Sequence, residues 1–99
     1  MWYAVISEDH NNSLDKRMAA RAEHLARLTA LRSEGRLLLA GPHPAVDSPD
    51  PGPAGFTGSL VIVDFPTLEA ATDWANTDPY VSAGVCKNVT VKPFNRVLP

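Results

Sequence analysis

Apolar positions along this chain change period several times, and each change marks an element. Residues 2–7 form a continuous aromatic and β-branched run, the composition of a strand. The polar stretch Glu8-Asp9-His10-Asn11-Asn12 ends it. From Leu14 the apolar residues recur at Met18, Ala22, Leu25, Leu28 and Leu31, steps of three and four that predict one helical stripe. Asn12 or Ser13 is placed to cap that helix, Asp15 suits its first turn, and Gly35 suits its end.

Arg36-Leu37-Leu38-Leu39-Ala40-Gly41 predicts a second strand that stops at Gly41-Pro42. Residues 42–57 hold Pro42, Pro44, Pro49, Pro51 and Pro53 and predict a surface loop. Residues 58–65 (Gly-Ser-Leu-Val-Ile-Val-Asp-Phe) are the clearest strand of all. Pro66 and Thr67 open a second helix through Leu68, Ala71, Trp74 and Ala75. Asp78-Pro79 restarts the chain as a turn or short helix to Gly84, and Cys86 to Lys92 is a last strand.

The order β-α-β, loop, β-α-β is the split, ferredoxin-like α+β plan, with an antiparallel sheet and both helices on one face. That plan leaves a question about the other face. In the third strand Ser59, Val61, Val63 and Phe65 alternate with Leu60, Ile62 and Asp64, and both sets are largely apolar. A half-solvated antiparallel sheet reads apolar inside and polar outside. A second copy packed back to back supplies the missing cover; the alternative is that the long loop folds over that face.

Length and composition narrow the class. At 99 residues there is room for one domain and a modest core. A net charge of −2 gives no basic footprint for nucleic acid and no polybasic patch for an anionic membrane. No segment approaches the ~18 apolar residues of a membrane span, so the expectation is a soluble, cytoplasmic protein. The single Cys86 allows no internal disulfide, which fits a reducing compartment.

On a helical wheel centred on Leu14, Arg17, Arg21 and His24 line one margin of the stripe, while Lys16, Glu23, Arg27 and Glu34 fall on the solvent side. An arginine beside an apolar stripe must snorkel, pair with a carboxylate or meet an anionic ligand. His24 is read either as a packed structural residue or as an acid–base group. Neighbouring guanidinium groups disfavour a charged imidazole, and the neutral ring is the form a general base requires. Asp47 and Asp78 are the loop carboxylates available to orient the ring, and Asp78 also reads as an Asx turn or helix cap before Pro79. His10, His24 and His43 lie in different elements, a spacing that predicts no metal site, and no cofactor motif is present. Ser59 reads as a hydroxyl donor to a ligand, and Cys86 as a buried structural thiol.

Several of these residues recur together in one family. His24-Leu25-Ala26-Arg27-Leu28, Gly41-Pro42-His43-Pro44, Gly55-Phe56-Thr57-Gly58-Ser59, Asp73-Trp74-Ala75, Asp78-Pro79-Tyr80, Ala83-Gly84-Val85 and Val91-Lys92-Pro93-Phe94 resemble the YCII-related (YciI-like) family along essentially the whole chain. The resemblance implies a dimeric α+β barrel assembly with a site centred on a histidine and an aspartate. Carried over, these fall on His24 and Asp78, with Arg17, Arg21, Gly41, Pro42, Ser59 and Tyr80 contributing to substrate binding. The expected function is a small cofactor-independent enzyme of isomerase, lyase or dehydrohalogenase type on a small anionic or phenolic substrate. The alternatives are a non-catalytic ligand-binding or interaction domain using the same cleft, and a cofactor-free monooxygenase.

Overall fold

The computed structural model describes residues 1–99. Strand β1 (Trp2–Asp9) is followed by α1 (Leu14–Ser33), β2 (Leu37–Pro44), β3 (Phe56–Asp64), α2 (Leu68–Asn76), the one-turn α3 (Pro79–Ser82) and β4 (Cys86–Phe94). The four strands form one antiparallel sheet in the order β2-β3-β1-β4, the ferredoxin-like α+β arrangement expected.

The side-chain alternation of β1 and β3 sorts the two faces. Tyr3, Val5 and Ser7 pair with Val63, Val61 and Ser59 and are buried beneath the helices. Val5, Val61 and Val63 join Leu28 and Leu31 of α1 and Ala75 of α2 in the main core, with Val89 and Val91 of β4 packed against it. Each such aliphatic side chain, taken fully out of water, contributes about 1.5–3 kcal/mol. A smaller cluster of Ala20, Tyr80 and Val85 sits under the end of α3. The opposite face carries Ala4, Ile6, Leu39, Leu60 and Ile62, and no helix covers it.

Three expectations change. Gly41-Pro42 is not a turn, because β2 continues through both residues, paired with Leu60 and Ser59 on β3, to Pro44. The order of strands explains it: β2 is an edge strand, where a proline removes no ladder bond from a second neighbour. The loop therefore shrinks to the stretch before Phe56 and contains a single 3-10 turn, Gly52–Ala54. The buried line of α1 is also rotated from the predicted one. It runs through Arg17, Ala20, Leu28 and Leu31, while Met18 and Ala22 face outward. A guanidinium held by internal partners can occupy an inner position that hydrophobicity alone assigns to Met18.

Local signals for the other boundaries agree with the sequence. Ser13 stands at the α1 N-cap, its carbonyl accepting from the Arg17 amide. The Thr67 hydroxyl accepts from the Ala70 amide and caps α2. Asp78 caps α3 by accepting from the Tyr80 amide at 2.8 Å. That cap fixes Asp78 against the middle of α1, beside His24.

Candidate active site

Asp78 and His24 meet across the gap between α3 and α1. His24 Nδ1 lies 2.9 Å from each oxygen of the Asp78 carboxylate. An ionised carboxylate only accepts, so Nδ1 carries the proton and Nε2 is left as the ring's free lone pair. No protein group bonds Nε2, and no buried polar side-chain atom in the chain lacks a partner; Nε2 is therefore open to solvent. The imidazole stacks on the Tyr80 ring, with centroids 4.0 Å apart and planes at 11°.

Asp78 is 8% exposed. Burial by itself raises its pKa, but the hydrogen bonds from His24 and the Tyr80 amide, with the charges of His24 and Arg27, outweigh it and hold the carboxyl below its ordinary value. Burial pushes the Tyr80 phenol up against the opposing pull of Arg17 and Arg21, so the hydroxyl stays protonated. Burial likewise raises the Cys86 thiol, helped by Asp9, which disfavours a thiolate there.

A cavity of about 260 Å³ opens between α1 and the β2–β3 side of the sheet. It is lined by every predicted binding residue: Arg17, Arg21, Gly41, Pro42, Ser59 and Tyr80, together with His24. Apolar walls come from Leu25, Leu28, Phe56 and Val61. Asp78 stands behind His24 rather than in the cavity wall. Asp47, the other carboxylate considered, is exposed and makes no contact with the ring.

The two arginines differ sharply. Arg17 is 6% exposed, and two of its three guanidinium nitrogens are occupied: Nε donates to Asp9 at 2.9 Å, and Nη2 donates to Asp9 and to the Gly58 carbonyl. It also lies over the rings of Tyr80 and Phe56, 4.7 and 5.3 Å from their centroids. Arg21 is exposed at the rim and forms no ion pair, which leaves its charge for a ligand. Ser59 exchanges a 2.8 Å hydrogen bond with Ser7 on the neighbouring strand, one hydroxyl donating to the other.

Arg27 is the residue the wheel assigned to solvent. Its Nη1 donates to Asp78 at 3.2 Å, and Nη2 donates to the Trp74 carbonyl at 2.7 Å. It stands three residues beyond His24, so a carboxylate that reaches one also reaches the other. That spacing was the available signal. His10 and His43 line a separate polar crevice where β1 ends, and no three His, Cys, Asp or Glu side chains are grouped to hold a metal ion.

The YCII-related domain profile matches residues 1–95. Protein YciI of Escherichia coli O6:H1 is 60% identical over 97 residues, covering 98% of this chain and 99% of that protein. The chain belongs to the YCII-related family. YciI of Shigella flexneri matches over the same span at 60% identity, and an uncharacterized protein of Haemophilus influenzae (strain Rd) at 56%, again across 98% of this chain and 99% of that protein. Among solved structures, this YCII-related chain is similar to the 5-chloro-2-hydroxyhydroquinone dehydrochlorinase TftG of Burkholderia phenoliruptrix AC1100, in complex with 2,5-dihydroxybenzoquinone. The TM-score is 0.82 at 23% identity, covering 96% of this chain and 94% of that one. The likeness establishes a shared fold.

Proposed function

We propose that this YCII-related chain is a small cofactor-independent enzyme in which His24 is the general base and Asp78 its orienting partner. The observation that carries the reading is the His24–Asp78 contact, two 2.9 Å approaches to Nδ1 that leave Nε2 free on a cavity wall. A base needs a lone pair within reach of a bound proton, and a carboxylate on the far nitrogen strengthens as the ring becomes charged.

A substrate seated between Leu25, Phe56 and Val61 would present an O–H or C–H to Nε2. The proton passes to Nε2, and the bonding pair moves into the substrate to expel a leaving group such as halide, or to re-form as a shifted double bond. Arg21 holds the developing negative charge, and the Ser59 and Tyr80 hydroxyls donate to it. Arg17, tied to Asp9, shapes the cavity and supports the Tyr80 ring. The cavity volume suits a single-ring or smaller anionic or phenolic compound, and the neighbouring dehydrochlorinase, with its quinone ligand, supports this class. We place the protein in the cytoplasm, where its unpaired Cys86 thiol stays reduced. We further propose that two copies pack through their uncovered sheet faces.

The test is halide release from chlorinated hydroquinones, followed by ion chromatography with wild type, His24→Ala and Asp78→Asn. Loss of the base is expected to cost about 10²–10⁴-fold in kcat. Turnover undiminished in His24→Ala overturns the reading. Ligand binding that survives both substitutions, without turnover of any bound compound, would instead favour a binding domain.

A further inference from the structure

The symmetric placement of His24 Nδ1 against both Asp78 oxygens needs a cause. A single N–H donor satisfies itself on one carboxylate oxygen, and a carboxylate free to turn would offer one. Here each oxygen has a second donor that fixes it. Oδ1 accepts from the Tyr80 amide at 2.8 Å, and Oδ2 accepts from Arg27 Nη1 at 3.2 Å. The two outer donors hold the carboxylate from both ends and leave its mouth facing the imidazole.

The Arg27 end is itself anchored. Nη2 donates to the Trp74 carbonyl at 2.7 Å and to Thr77 Oγ1 at 3.2 Å, and the guanidinium lies 4.7 Å from the Trp74 ring centroid. A planar fork with several partners has little freedom to swing away, which a lysine ammonium could not reproduce. Arg27 does not line the cavity, so it has no route to the substrate except through Asp78 and His24.

We propose that Arg27 is a positioning residue: bridging the end of α2 to Asp78, it orients the carboxylate that fixes the His24 tautomer and aims Nε2 into the cavity. The proposal rests on the reading of His24 as the base, but two of its readouts need no turnover. The remaining titratable groups around the pair are Arg17 and Arg21 on α1, Tyr80 on α3, and Cys86 on β4.

The experiment compares wild type with Arg27→Met and with Arg27→Gln, which keeps a donor for the Trp74 carbonyl without the charge. Imidazole 15N spectra at alkaline pH should show His24 largely as the Nδ1–H tautomer in wild type and a gain of Nε2–H in both variants. Carboxyl 13C spectra should show Asp78 titrating at higher pH in both variants, toward its ordinary value. With an active substrate, kcat should fall about 10-fold at nearly constant KM, as is usual when an orienting group behind a reacting side chain is lost. Unchanged tautomer and carboxyl titration, with only a lower thermal midpoint, would make Arg27 a strut between helices and overturn the proposal. If His24→Ala leaves turnover intact, the base assignment fails, while the spectra still decide the role of Arg27.

Discussion

Asp78 serves two ends with one carboxylate. It caps α3 through the Tyr80 amide, as an Asp before Pro is expected to, and the same carboxylate receives His24 Nδ1. Its titration carries a sign that can be measured. A carboxyl depressed by folding contributes stability that is complete above its unfolded value and is lost as pH falls through its folded value. Asp78 lies below its ordinary 3.8 for the reasons given above, burial being the opposing effect. Wild type should therefore exceed Asp78→Asn in urea stability at about pH 6, and the margin should narrow steadily below about pH 4. Parallel pH profiles for the two proteins would contradict the assignment. Arg17 presents another buried charge, paired through its Nε and Nη2. Its margin position was legible in the spacing of α1; its pairing with Asp9, across the β1–α1 connection, was not.

At the level of elements, the ends of helices were readable and the orientation of α1 was not. Thr67 and Gly35 act within a few residues of themselves, so sequence suffices to place them. The face α1 buries depends on what waits underneath, and there Asp9, Gly58 and Tyr80 turn Arg17 inward. Met18, on the predicted stripe, ends 59% exposed. Prolines in the sequence predict an early end to β2; its edge position, a property of the assembled sheet, permits them. The β1–β3 pairing carries a sharper constraint at Gly58. A Cβ added there would lie 1.9 Å from the Ser7 carbonyl oxygen, a backbone atom with nowhere to go. Gly58→Ala should therefore destabilise the protein by about 3 kcal/mol or more in denaturant unfolding, and disturb the carbonyl that holds Arg17. A loss below about 0.5 kcal/mol, the range of an ordinary surface change, would show that the strands part easily here.

The molecule as a whole leaves one sheet face without a layer. Ile6 and Leu39 are 36% and 46% exposed there, beside Ala4 and Leu60, while every helix lies on the other side. Part of the long loop, Ala45 and Pro53 to Gly55, lines a polar crevice at the end of β1 together with Ile6, His10 and His43. If a second copy covers the face, Ile6→Lys should shift sedimentation from dimer to monomer at micromolar concentration while leaving the helix-side core intact. A wild-type monomer under those conditions would overturn the proposed pairing. No helix is long and apolar enough to cross a membrane.

The sequence by itself determined the element order, the α+β class and most helix boundaries. All of these rest on local periodicity and on short motifs that act where they stand. Tertiary structure decided between Asp78, which the family resemblance favours, and Asp47, since the loop that carries Asp78 is the one that ends against α1. It also decided that Arg27 shares that carboxylate and that Arg17 is already paired. The physical reason is common to all three. Each contact joins two different elements, Asp78 with His24 and Arg27 at separations of 54 and 51 positions and Asp9 with Arg17 at 8, and it exists only once the fold has set the distance between those elements.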